Sequence, residues 1–267
     1  MCRVRGGETR KRHQMPKRGF ALLLCAFLSS VLAQQAGAEV YERIEQQHFG
    51  SIATGNYQAG DNLRFSIDRY RNEFLMRFAG QPEVFVLYAD FGSLGGRVLR
   101  YDSGAIAIQV AGWGEMTVYT DDQPQGLPTA RTGDSSAPIL PSVTLAQVQS
   151  AADDEATHLS YARSVRVSFT ADWNALSGDS NLRALAFDAM ENAARGIDRF
   201  TANQAARTVF TQRVSAVHIQ TSEKPIIQMS GKTLIVTLNP RQGYMGRASS
   251  RAIAFALGKL FGVPVPN

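Results

Sequence analysis

Leu63-Arg64-Phe65-Ser66-Ile67 and, a short turn later, Phe74-Leu75-Met76-Arg77-Phe78 decide the reading of this chain. In both, Phe or aliphatic side chains recur at alternate positions, the period of a strand with one buried face. Val84 to Tyr88 is a short apolar run, and Val98-Leu99 leads to the turn signal Asp102-Ser103-Gly104. Ile106, Ile108 and Val110 then alternate up to a second turn, Gly112-Trp113-Gly114, after which Met116 and Val118 resume the pattern. Successive strands joined by short turns spell an antiparallel meander within a β-rich half, residues 39–120.

Residues 121–142 break that pattern. Pro124, Gly126, Pro128, Gly133, Pro138 and Pro141 mark them as a linker or an ordered surface loop. Residues 143–267 mix helices and strands. Thr144 and Gln147 form a capping-box pattern, and Val165, Val167 and Phe169 alternate. Asp179 or Ser180 caps the clearest helix, whose apolar stripe is Leu182, Leu185, Ala186, Ala189, Ala193, Ile197 and Phe200. Val217 and Ile219 mark a strand, and a hairpin turns at Ser230-Gly231-Lys232. The last helix starts at Ser249 or Ser250 and stops at Gly262. The fold class is α+β: an N-terminal antiparallel β-meander followed by a mixed helix/strand half.

Ahead of these elements, residues 1–38 read as a Sec-type signal peptide. Seven Lys and Arg precede an apolar run from Gly19 to Leu32, and Ala36-Gly37-Ala38 supplies small residues for cleavage between Ala38 and Glu39. The apolar run, about 14 residues, is shorter than the roughly 20 that span a bilayer, which favours a cleaved leader over an anchor. Met15 is an alternative start, because residues 15–38 alone make a compact signal. The expected location is the periplasm or the exterior, with no transmembrane segment in the mature chain.

The leader also distorts the composition. The whole chain carries a net charge of +5. Residues 39–267 hold 21 basic and 22 acidic side chains, a net charge of −1, so nucleic acid is not an expected partner. Cys2 and Cys25, the two cysteines, leave with the leader, which removes disulfides, thiolate catalysis and cysteine-bound zinc from the mature chain. Cys25 lies inside the apolar run, which is no place for a lipid anchor.

Catalytic motifs are missing. Gly231-Lys232-Thr233 lacks the upstream glycine and the following helix of a phosphate-binding loop and reads as a hairpin turn. Asp172-Trp173-Asn174 lacks the remaining oxygen ligands of a calcium loop, and Asp153-Asp154-Glu155 reads as a solvated helix face. His48, His158 and His218 are far apart, and no nucleophile elbow or metalloprotease pair is present. No metal or cofactor is expected, and the balance leans away from an enzyme.

Two stretches stand above this background. Trp113, between glycines and followed by Tyr119, is either a plug over the sheet or an exposed stacking platform. Arg241, Tyr244, Arg247, Ser249 and Arg251 surround the start of the last helix. Its free N–H groups and the arginines suit an anion, unless Ser249 or Ser250 merely caps the helix and the arginines pair with carboxylates. These seven residues are the binding candidates.

The segment from Ala111 to Thr120, continued by Pro124-Gln125-Gly126-Leu127-Pro128, together with Gly246-Arg247-Ala248-Ser249-Ser250-Arg251, resembles an uncharacterised family of exported Gram-negative bacterial proteins, a domain of unknown function. The resemblance implies export and transfers no catalytic residue. The expected function is non-catalytic binding of an envelope component or a protein partner. An envelope glycan hydrolase or transferase using Asp121 or Asp122 near Trp113, and a small-anion binder using Arg241, Arg247 and Arg251, are the alternatives.

Overall fold

The alternating stretches close into a barrel. A computed structural model describes residues 52–265, all within one unit, residues 49–267. The leader, Met15, the cleavage position at Ala38 and Glu39, and His48 lie outside the described residues. Eight strands follow in chain order: β1 (Gly55–Ala59), β2 (Leu63–Tyr70), β3 (Glu73–Phe78), β4 (Val84–Phe91), β5 (Arg97–Tyr101), β6 (Ile106–Val110), β7 (Met116–Val118) and β8 (Leu127–Gly133). Each pairs antiparallel with the next, and β8 returns to β1.

The inward set is the alternating set. Phe65 opposes Phe78, Ile67 opposes Met76, Leu87 opposes Tyr101, and Leu99 opposes Ile108. Tyr57, Phe65, Phe78, Phe85 and Tyr101 touch in sequence, with ring centroids 5.2–6.1 Å apart, so an aromatic band fills the interior. The barrel is a packed core, not a channel.

Residues 121–142 are not all linker, because they contain β8. That strand pairs with β7 through Pro128 opposite Thr117 and with β1 through Ala130 opposite Gln58. Only its beginning carries an apolar residue aimed inward, Leu127, so no alternation marks it. β1, with Gly55 and Gln58 in its five residues, is similarly faint.

The second half is a two-layer α/β arrangement. Helix α1 (Leu145–Arg163) is capped by Thr144 with the capping box to Gln147 in place. Strand β9 (Ser168–Ala171) is followed by the short α2 (Trp173–Gly178), capped by Asp172 of the discarded calcium motif. Helix α3 (Ser180–Thr201) starts at Asp179, and α4 (Gln204–Arg213), unmarked in the sequence, follows it. Strands β10 (Ala216–Thr221), β11 (Ile227–Ser230) and β12 (Thr233–Leu238) complete a sheet ordered β11-β12-β10-β9. β10 runs parallel to both neighbours, and β11–β12 is the expected hairpin. Phe169, Val217, Ile219, Leu234 and Val236 bury one face of the sheet among the helices.

A 3₁₀ segment, Pro240–Gly246, leads into α5 (Ser250–Phe261), which Ser249 caps and Gly262 ends in the left-handed conformation. That segment joins the halves. Tyr244 packs with Leu75, Val84 and Val86 on the outside of β3 and β4. Both faces of β4 are thus covered there, which is why Val84 to Tyr88 is apolar without a break.

Helix α5 crosses α3 at Gly196, where a Cβ would sit 2.6 Å from Ile253 Cβ and 2.9 Å from the Ser250 carbonyl oxygen. The crowding outweighs the helix propensity that alanine brings. Gly196→Ala is expected to lower stability by about 1–3 kcal/mol in urea unfolding, and an unchanged or raised stability would contradict this close crossing.

Candidate functional site

Strand alternation sorts the loops by end. The connections at residues 79–83, 102–105 and 119–126 emerge at one end of the barrel, the mouth, and those at 92–96 and 111–115 at the other. Helix α5 starts at the mouth.

There its first N–H groups meet two carboxylates of the barrel. The Ser249 N–H donates to Asp102 Oδ2 at 2.7 Å, and its hydroxyl donates to Oδ1 while accepting from the Ala252 N–H. The Ser250 N–H donates to Glu83 Oε1 at 2.8 Å, and its hydroxyl to Oε2 at 2.7 Å. A helix N-terminus attracts anions, and this one takes them from its own chain.

Arg247 completes the seam. It is 3% exposed, its Nε donates to Asp188 on α3, and its Nη2 donates to the Val84 carbonyl oxygen at 2.6 Å. Burial alone would pull its pKa down. The carboxylates of Asp188, Glu83 and Asp102 outweigh that, hold the guanidinium charged and lift its pKa above the ordinary value. Asn192 donates to Asp188 and to the Ala248 carbonyl oxygen, and Arg195 donates to Asn192. Burial pushes the pKa of both Glu83 and Asp102 up, against the opposing pull of their serine hydrogen bonds and of Arg247.

Outside this seam, Asp121 is shared by two guanidiniums. Arg199 of α3 pairs with it, and Arg251 Nη2 approaches it at 2.6 Å. Arg251 lies over the Tyr101 ring, 4.3 Å from its centroid, and its buried Nε has no hydrogen-bond partner among the described residues. Burial, and then the charge of Arg251, lower the pKa of Arg199. Two hollows flank the pair. One, of about 620 Å³, is lined by Glu83, Glu155, His158, Arg195, Asp198 and Arg199. The other, of about 350 Å³, is bounded by Arg100, Ala105, Ile106, Tyr119, Thr120 and Arg251.

The candidates of the sequence therefore divide. Tyr119 and Arg251 meet in the smaller hollow at the mouth. Arg247 and Ser249 are spent in the seam, and Tyr244 is buried against the barrel wall. Arg241 is exposed beyond the opposite end of that wall, where its carbonyl oxygen accepts from Arg71. Trp113 is 74% exposed at the far end, with its Nε1 donating to Glu115 at 2.9 Å, so it plugs nothing. It shares that rim with Phe91 and with Leu94, which is 89% exposed in a left-handed conformation; the two loops pass so close that a Cβ on Gly112 would sit 2.6 Å from the Leu94 carbonyl oxygen. Strand β7 thus separates Trp113 from Asp121. Sequence reasoning missed Glu83, Arg100, Asp102, Asp188 and Arg199, whose only signal was a charge beside a strand or within a helix.

The fold and its mouth define a class: a filled, eight-stranded antiparallel barrel fused through a charged seam to a two-layer α/β unit. Domain of unknown function (DUF4908) matches residues 38–257, and the chain belongs to that family. No curated protein and no solved structure matches it. Among the described residues no group of three His, Cys, Asp or Glu side chains is placed to hold a metal, and no helix is long and apolar enough to cross a membrane.

The raised carboxylates make a signed prediction. A carboxyl whose folded pKa exceeds its unfolded value stabilises the fold most when protonated, and that contribution fades as pH rises from about 4 through the raised value. Glu83→Gln removes the buried charge; its amide oxygen still accepts from the Ser250 N–H, and the Ser250 hydroxyl turns to accept from the amide nitrogen. Its stability relative to wild type is expected to improve as pH rises from 4 to 7.5. A difference that stays constant across that range, in thermal unfolding, would refute the assignment.

Proposed function

We propose that the mature protein is an exported, periplasmic protein that binds a component of the cell envelope, or a protein partner, without transforming it. Its mouth is the binding surface. The observation that carries this reading is the state of the seam. Glu83 and Asp102 are engaged by Ser250 and Ser249, and Asp188 is engaged by Arg247. The hydroxyls and carboxylates of the seam are committed to holding the fold, whereas the arginines at the edge face open hollows. Acid–base catalysis needs a titrating group free to reach its substrate.

Export is supported by the order of charged, apolar and small residues in 1–38 and by a family match that begins at residue 38. It predicts an intact mass beginning at Glu39 in the periplasmic fraction of cells making the full chain.

Thermal unfolding of that recovered protein, screened against cell-wall glycan fragments, envelope extracts and small phosphates, tests the binding reading. The expected result is a raised midpoint with at least one preparation and no product after prolonged incubation. Turnover of any stabilising compound would overturn it.

A further inference from the structure

We infer that the smaller hollow at the barrel mouth is a binding site for a small organic oxyanion, in class a phosphate monoester. The inference deepens the binding reading and rests on it.

Charge is the first argument. Arg251, on the hollow, shares its one ion-pair partner among the described residues, Asp121, with Arg199, so its charge is only partly met there and an anion in the hollow is favoured. Arg251 is held in place by Asp121 on one side and by the Tyr101 ring beneath it, with its side chain 9% exposed. A guanidinium fixed in this way loses little entropy when it binds.

The rest of the lining fits the same ligand. Arg100 stands on the same hollow, its Nη1 on the Gly104 carbonyl oxygen at 3.1 Å and its Nε at 3.5 Å from Asp90, the long end of an ion pair. The Thr120 hydroxyl accepts from the Gln123 N–H and keeps its own proton to donate. Two guanidiniums and a hydroxyl offer more donors than the two oxygens of a carboxylate use, and suit the three of a phosphate monoester. Ala105, Ile106 and Pro124 supply an apolar surface for the organic part, with the Tyr119 ring beside them. That ring is positioned by Gly126, whose missing Cβ would lie 2.7 Å from Tyr119 Cε1. A volume of about 350 Å³ lies at the small end of ligand sites.

Calorimetric titration of the recovered protein with phenyl phosphate, and separately with vesicles carrying a phosphate-monoester lipid headgroup, tests the inference. Binding of either probe is expected to weaken about tenfold in Arg100→Ala, which leaves the Asp121 pair alone, and to weaken as salt is raised. Thr120→Ala, with a smaller loss, guards against an unfolded variant. Vesicle binding without phenyl phosphate binding would identify the source as lipid, and the reverse as a free monoester. Equal binding of benzyl alcohol, no binding of either probe, or binding unchanged in Arg100→Ala would overturn the site. Should glycan fragments or envelope extracts still stabilise Arg100→Ala, the binding reading survives without this ligand. Hydrolysis of phenyl phosphate would instead remove the binding reading and leave the site.

Discussion

A single guanidinium carries the junction between the two halves. Arg247, buried from solvent, reaches Asp188 on α3 with one nitrogen and the backbone of β4 with another, and it sits in the field of Glu83 and Asp102. An uncompensated buried charge is strongly unfavourable, so the barrel and the α/β unit must be docked for Arg247 to be tolerated. The apolar contact of Tyr244 with Leu75, Val84 and Val86 supplies burial area beside it. The polar seam supplies the register, because Glu83 and Asp102 meet Ser250 and Ser249 only when α5 points at the mouth.

This arrangement changes what the helix terminus can do. A helix start with two serines and flanking arginines has the chemistry of an external anion site, and here two of the chain's own carboxylates occupy it. The positive charge that remains is displaced outward to Arg251, Arg199 and Arg100, at the rim. The seam is therefore structural, and the arginines of the rim line the hollows beside it. The exposed Phe91, Leu94 and Trp113 form a chemically separate surface at the far end of the barrel.

Much of the architecture was legible from local patterns. Strands β2, β3 and β6 show in alternation, and Thr144, Asp179 and Ser249 cap the helices that their positions foretell. Barrel closure was not legible. It depends on β1 pairing with β8, two strands with few apolar residues whose partners lie far apart in the chain. The candidate site was half legible: Tyr119 and Arg251, from the two separate stretches singled out, meet in one hollow only through the fold. Trp113 and Arg241 lie elsewhere, because alternate loops leave a barrel at opposite ends. Glu83, Asp102 and Asp188 each look like ordinary charges, and only the fold brings them around Arg247.

If one buried charge binds the halves into a single cooperative unit, native-state hydrogen exchange shows it most directly. Amides of β3 and β4 in the barrel and of β10 and β12 in the sheet are expected to exchange with one common opening free energy, falling together in Arg247→Met. Two separate opening free energies in the wild-type protein, or a loss confined to one half in the variant, would contradict the account.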